Sequence, residues 1–244
     1  MKQVKIKSIS KIEYTSKRYD ISVADNNNLF ANDILIHNCQ NIPQVLQQFA
    51  DKEVYVTEKI DYQSVTFTGK MVPKFGGLLG KLFPIKKYQF VVCSRNMTTN
   101  DKNSLYWKIA KNYNIEQILR DNPTLTIQGE QGDTKIQDNK YGITEPRMWV
   151  FNIIDHERNY HYSYRELEAF CKDHNLEYVK LVGFGYYKLS DLGSTVQEIV
   201  NFSKGKSLLN TNIPREGVVI RCIENGKKLL SCKAINPDFL LKYD

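Results

Sequence analysis

The chain has 244 residues, enough for one large domain or for a medium domain with a small appendage. Hydrophobic residues make up 41% and charged residues 25%, an ordinary globular composition that excludes a fibrous or wholly disordered chain. The formal net charge of +7 favours an anionic partner, because a positive field concentrates phosphates whatever their sequence, but it does not separate RNA from DNA.

In chain order, residues 3–36 hold short alternating runs such as Val4-Lys5-Ile6-Lys7 and Tyr19-Asp20-Ile21-Ser22-Val23, with Asp25-Asn26-Asn27-Asn28 as a turn. They predict a small all-β piece with too few strands to close a core alone. After Cys39 the pattern changes, placing a domain boundary at 38/39. Asn41-Ile42-Pro43 opens a short helix through Phe49, and Val54-Tyr55-Val56-Thr57-Glu58 alternates like a strand. Further strands are predicted at 63–69, 88–93, 124–130, 148–154, 216–223 and 228–233, and helices at 103–121, 163–174 and 195–203. Ser163 with Glu166 three residues on is a capping-box spacing. Without a regular βαβ repeat, the fold class expected is α+β.

Residues 70–87 carry five lysines and no acid among scattered glycines and prolines. They read either as a solvated surface hairpin or as a mobile basic loop that clamps a phosphate backbone. The five cysteines are scattered without metal-ligand spacing and read as reduced thiols. No apolar run approaches the ~20 residues of a membrane span, and MKQVKIKSIS lacks the apolar core of a signal peptide. The expectation is a cytoplasmic protein with no membrane partner.

His37-Asn38-Cys39 closes the β-rich piece, and each member has a use in cutting a peptide bond. An asparagine amide can attack its own carbonyl, a histidine can polarise that carbonyl or protonate the leaving amine, and a cysteine can first accept the acyl group as a thioester. The stretch YDISVADNNNLFANDILIHNC resembles the C-terminal motifs of inteins in residue type and spacing. The resemblance implies that Asn38 cyclises with help from His37, and that Cys39 begins the downstream extein. With Met1 only 38 residues before that junction, the expected partner is an N-terminal split-intein half, fused to the missing N-terminal part of the protein. Asn27 stands where inteins often have a histidine, which leaves Asp25 as the titratable group of that motif.

In the remainder, Glu58-Lys59-Ile60-Asp61 sets a lysine at a strand end between carboxylates. An ordinary lysine is protonated at neutral pH and cannot attack phosphorus, unless a second cation, a metal or desolvation changes its environment. Val92-Cys93-Ser94-Arg95-Asn96, Ile127-Gln128-Gly129-Glu130, Trp149-Val150-Phe151-Asn152, Arg215-Glu216-Gly217-Val218-Val219 and Ser231-Cys232-Lys233 follow in order. Together these segments resemble the motifs of covalent nucleotidyltransferases, and both GEQGDTKIQDNKYG at 129–142 and the closing KAINPDFLLK look most like RNA ligases.

That resemblance, over residues 40–244, implies an α+β nucleotidyltransferase (ATP-grasp-like) domain with mixed or antiparallel sheets, beside the all-β intein segment. It implies that Lys59 attacks the α-phosphate of ATP and holds AMP, and that Glu58, Arg95, Glu130, Phe151 and Lys233 form the nucleotide-binding set. Within that set Glu130 would bind ribose hydroxyls, Phe151 would stack on adenine and Arg95 would reach the phosphates or the nucleic-acid end. Glu216 would place Mg²⁺ or Mn²⁺. The implied substrate is RNA, or an RNA/DNA hybrid, and an OB-type domain is expected upstream in the complete enzyme. Tyr62 stands in place of the usual motif glycine, and Ser231 in place of a lysine. A DNA ligase, a capping guanylyltransferase and a non-catalytic nucleic-acid-binding module remain open alternatives at this point.

Overall fold

The computed structural model describes residues 28–31, 34–37, 42–74, 85–95 and 97–243. Strands β1 (Asn28–Ala31) and β2 (Ile34–His37) pair antiparallel as a hairpin. Residues 1–27 and the junction residues Asn38 and Cys39 lie outside the described residues. Helix α1 (Ile42–Gln48) follows, where the sequence predicts it.

Two antiparallel sheets carry the rest. The first runs β11-β10-β3-β9, formed by β3 (Glu53–Lys59), β9 (Leu181–Lys188), β10 (Gly217–Glu224) and β11 (Lys227–Ile235). The second runs β5-β4-β6-β7-β8, formed by β4 (Gln63–Pro73), β5 (Lys86–Cys93), β6 (Leu125–Gly132), β7 (Arg147–Asp155) and β8 (Tyr160–His161). Every ladder in these sheets is antiparallel. The central strand β3 is buried on both faces, which explains its nearly unbroken apolar and β-branched run.

Side chains alternate along β3, so Val54 and Val56 enter one core with Val218, Ile220, Leu230 and Leu189. Tyr55 points the other way, into a larger core with Phe67, Ile127, Met148, Ile153 and Tyr164. A third cluster holds Ile60, Tyr62, Tyr141, Trp149 and Ile213 beside the end of β3. Helices cover these cores: α2 (Leu105–Asn112), α3 (Ile115–Asp121) and α4 (Tyr164–Asp173) add to the larger one, and α5 (Leu189–Leu192) and α6 (Val196–Ser203) to the first. Capping boxes start α4 at Ser163 and α6 at Thr195, each satisfying two amides that a helix start leaves open.

Two differences from the sequence expectations have clear physical reasons. The single helix predicted over 103–121 is two, because Asn114 takes a left-handed conformation (φ 52°) that an asparagine tolerates and a helix interior does not. Strand β9 escapes sequence reading because Gly183 and Gly185 interrupt it at positive φ, so its pattern looks like a loop. The basic segment at 70–87 is not all loop: Lys70–Pro73 and Lys86-Lys87 extend the β4–β5 hairpin, with residues 75–84 outside the described residues. The closing helix α7 (Pro237–Tyr243) was not predicted either.

Candidate functional site

The end of β3 fixes the position of Lys59. Lys59 lies opposite Gly217 on β10, and a side chain on Gly217 would collide with the backbone oxygen of Ala234 on β11, so glycine alone lets the strands close here. Glu216, just before this rung, contacts Lys59 Nζ through Oε1. Asn236, wholly buried, fixes the Glu216 backbone: its amide N donates to the Glu216 carbonyl at 2.8 Å and its Nδ2 donates to the Arg215 carbonyl at 2.9 Å.

Lys233 lies on β11 opposite Val219, which itself faces Thr57, so Lys233 shares the Lys59 face of the sheet. Partial burial holds Lys233 below the ordinary lysine value, and the charge of Lys59 adds to this, against the pull of Glu130. Glu130 approaches from β6 in the second sheet. Burial raises its pKa to about 7, opposed by Lys59 and Lys233 and reinforced by Glu216 and Asp61. Burial likewise raises Glu216, with Lys59 as the main opposing charge. Lys59, Glu130, Glu216 and Lys233 thus converge from two sheets.

Among the described residues, Glu130 Oε2 and Glu216 Oε2 are buried with no hydrogen-bond partner. A buried carboxylate oxygen left open is costly unless something binds it. No three His, Cys, Asp or Glu side chains form a ready metal cage among the described residues. The donors fit Mg²⁺ or Mn²⁺ held by one or two carboxylates, with water and phosphate completing the shell.

The other predicted site residues divide. Arg95 is exposed on the turn after β5 and acts electrostatically on Lys233, so it belongs to the rim of this cluster. Phe151 is half-buried on β7 at a bulge, where Gln128 pairs with Asn152 and Gly129 with Val150. Glu58 does not join them. Its side chain is on the opposite face of β3, where Oε2 accepts from the Leu208 amide at 2.7 Å and Arg215 lies nearby. His37 ends β2, and Asn38 and Cys39 lie outside the described residues.

Sequence reasoning assigned no role to three residues that the fold brings here. Asp61 binds Lys140 Nζ at 2.6 Å and its amide donates to the Tyr141 hydroxyl at 2.8 Å, tying the strand end to the segment after β6. Arg221 reaches from β10 to the Phe151 carbonyl. Asp61 and Lys140 sit inside motif-like stretches, yet their pairing across 79 positions is a product of the fold. Tyr62, the departure from the motif glycine, is 8% exposed and stacks on Trp149 with ring centroids 5.8 Å apart and planes 5° from parallel.

The fold thus brings a lysine, two carboxylates and a second cation together from two antiparallel sheets. The family model for RNA ligase matches residues 52–243, and the chain belongs to that family. Solved structures of Naegleria gruberi RNA ligase share the fold. An apo mutant is 22% identical, with a TM-score of 0.67 over 83% of this chain and 55% of that one. A mutant with ATP and Mn gives a TM-score of 0.68 at 21% identity over 93% and 64%. The form with PPi gives 0.66 at 21% identity over the same shares. The chain therefore spans a little over half the length of the structures it matches. No curated protein matches it significantly.

Proposed function

We propose that this chain carries the nucleotidyltransferase unit of an ATP-dependent RNA ligase that joins 5′-phosphate to 3′-hydroxyl ends. The observation that carries this reading is the convergence of Lys59, Glu216, Glu130 and Lys233 at one strand end. Lys59 Nζ attacks the α-phosphorus of ATP: a P–N bond forms, the bond to the β-phosphate oxygen breaks, and pyrophosphate leaves. AMP then passes to the RNA 5′-phosphate, and attack by the 3′-hydroxyl expels it.

Lys233 stabilises the charge that develops on the phosphate, as a fixed cation in a partly dry site does. Glu130 accepts hydrogen bonds from the ribose hydroxyls and Phe151 offers a face for adenine. Arg95 reaches toward the phosphates from the rim. Glu216 would hold Mg²⁺ or Mn²⁺, which would neutralise phosphate charge when bound. The exposed Lys86 and Lys87 of the β4–β5 hairpin supply contacts to an RNA backbone, or to an RNA/DNA hybrid. Support for ATP with manganese comes from the relatives studied with them.

Residues 1–38 are read as the C-terminal part of a split intein, with Asn38, His37 and Cys39 as its splicing residues. This rests on the residue pattern and on a hairpin that ends at His37. The partner proposed for this segment is an N-terminal intein half.

Nicked duplexes with labelled 5′-phosphate RNA or DNA strands, incubated with the chain, ATP and Mg²⁺, test the substrate. RNA capped with AMP, or joined, in preference to DNA supports an RNA ligase; equal or exclusive use of DNA refutes it. Mixing the chain with a matching N-terminal intein fusion tests the front segment: loss of residues 1–38 with a new peptide bond at Cys39 is expected, and an intact chain would refute splicing.

A further inference from the structure

We infer that Arg221 is a positioning residue for the nucleotide, holding the Phe151 ring in place from the opposite sheet; this rests on the ATP-binding reading above. Arg221 lies opposite Tyr55 while Gly217 lies opposite Lys59, so Arg221 is on the same face of the sheet as the lysine. Its side chain leaves its own sheet. Nη1 donates to the Phe151 carbonyl at 2.5 Å, and the guanidinium carbon lies 5.3 Å from the centre of the Phe151 ring.

The bulge in β7 gives this contact a reason. The bulge makes Phe151 the extra residue between the Gln128–Asn152 and Gly129–Val150 rungs, outside the regular ladder. A group from another strand must then satisfy its carbonyl and fix its ring, and Arg221 does both with one planar side chain. The residue directly opposite Arg221 on β11 is Ser231, whose short side chain leaves the guanidinium room to cross.

Ordinary ion pairing does not account for Arg221. It is only 9% exposed, and among the described residues no carboxylate forms an ion pair with it. Its charged neighbours are mostly cations or bases: Lys233, Lys228 and His161 all feel it as a like charge, with the Tyr55 hydroxyl as a further polar contact. In such company the guanidinium contacts the Phe151 carbonyl and ring. Arg221 lies over the half-buried Phe151 ring, which also packs against the third cluster, and so links β7 to the strand that follows Glu216.

The test is the ATP concentration that half-saturates covalent labelling by α-labelled ATP, for the wild type, Arg221→Met, Phe151→Ala and the double variant. Arg221→Met, assayed at a temperature where its melting curve shows it folded, is expected to raise it about tenfold and to weaken preference for ATP over GTP. In the Phe151→Ala background the same substitution should add nothing, because its effect travels through the ring. Arg221→Lys, which keeps charge without the planar fork, should fall between and serves if the Met variant does not fold. Independent, multiplying effects in the double variant, or unchanged half-saturation in Arg221→Lys and Arg221→Met, would overturn the inference alone. A wild-type chain that takes no label from ATP would overturn the ATP reading, and the inference with it.

Discussion

Lys59 and Glu216 touch across the β3–β10 ladder, one residue from the Lys59–Gly217 rung, with their side chains 20% and 12% exposed. The lysine proposed as nucleophile is therefore held by the carboxylate proposed for the metal. Among the described residues only one Glu216 oxygen is engaged, and Oε2 remains open. Glu216→Gln preserves shape but removes the charge, and is expected to slow covalent labelling about 100-fold or more, an electrostatic loss of roughly 3 kcal/mol. Initial labelling rates over a Mg²⁺ series check this; a wild-type rate would remove Glu216 from the chemistry.

Glu130 gives the fold a pH dependence with a definite sign. Burial raises its pKa to about 7 from an ordinary 4.5, so the folded state binds more protons than the unfolded one between these values. The stability from protonated Glu130 is complete below the unfolded pKa and is lost as pH rises through about 7. The loss should be on the order of 1–3 kcal/mol. Urea unfolding at pH 5 and pH 8 should show that fall in the nucleotide-free wild type and a smaller one in Glu130→Gln.

Tyr62 is expected to matter for stability before binding. It packs against Trp149 and Tyr141, donates to Asn139 Oδ1 at 3.2 Å and fills the space beside Gly132. Restoring the motif glycine, Tyr62→Gly, should cost roughly 3–5 kcal/mol through the cavity it opens. Tyr62→Phe should cost about 1 kcal/mol, the lost hydrogen bond. Chemical denaturation measures both, and a glycine variant as stable as the wild type would contradict this packing.

Much of this was legible in the sequence, for reasons that differ by residue. Lys59 sits at the end of an apolar alternating run, so its place at a strand end followed from periodicity, and the Ser163 capping box was readable from spacing alone. Strand β9 was not readable, because its glycines serve a bulged pairing with β3 that only the assembled sheet explains. Glu58 illustrates the limit within the site. Adjacent residues in a strand face opposite ways, so nearness to Lys59 in sequence puts its carboxylate with Leu208 instead. Lys140 and Arg221 depend on contacts 79 and 70 positions away, which no local pattern encodes.

The proposed RNA contact on the basic hairpin can be tested apart from the proposed nucleotide chemistry. Lys86 and Lys87, on the edge strand of the second sheet, are exposed and pair in register with Pro73 and Val72, whereas Lys59 is on the first sheet. Replacing both with glutamate should weaken RNA retention and reduce its salt dependence by about one unit of log–log slope per lost phosphate contact. Labelling by ATP should be unaffected. Filter binding over a salt series decides it, and an unchanged slope would place the RNA elsewhere.

The most direct measurement incubates the chain with α-labelled ATP and Mg²⁺, denatures it, and maps any retained AMP by mass spectrometry, with Lys59→Ala alongside. AMP on the peptide containing Lys59, absent from the variant, is the expected result. A folded chain that retains no AMP, or retains it equally after Lys59→Ala, would contradict the assignment of Lys59 as the nucleophile.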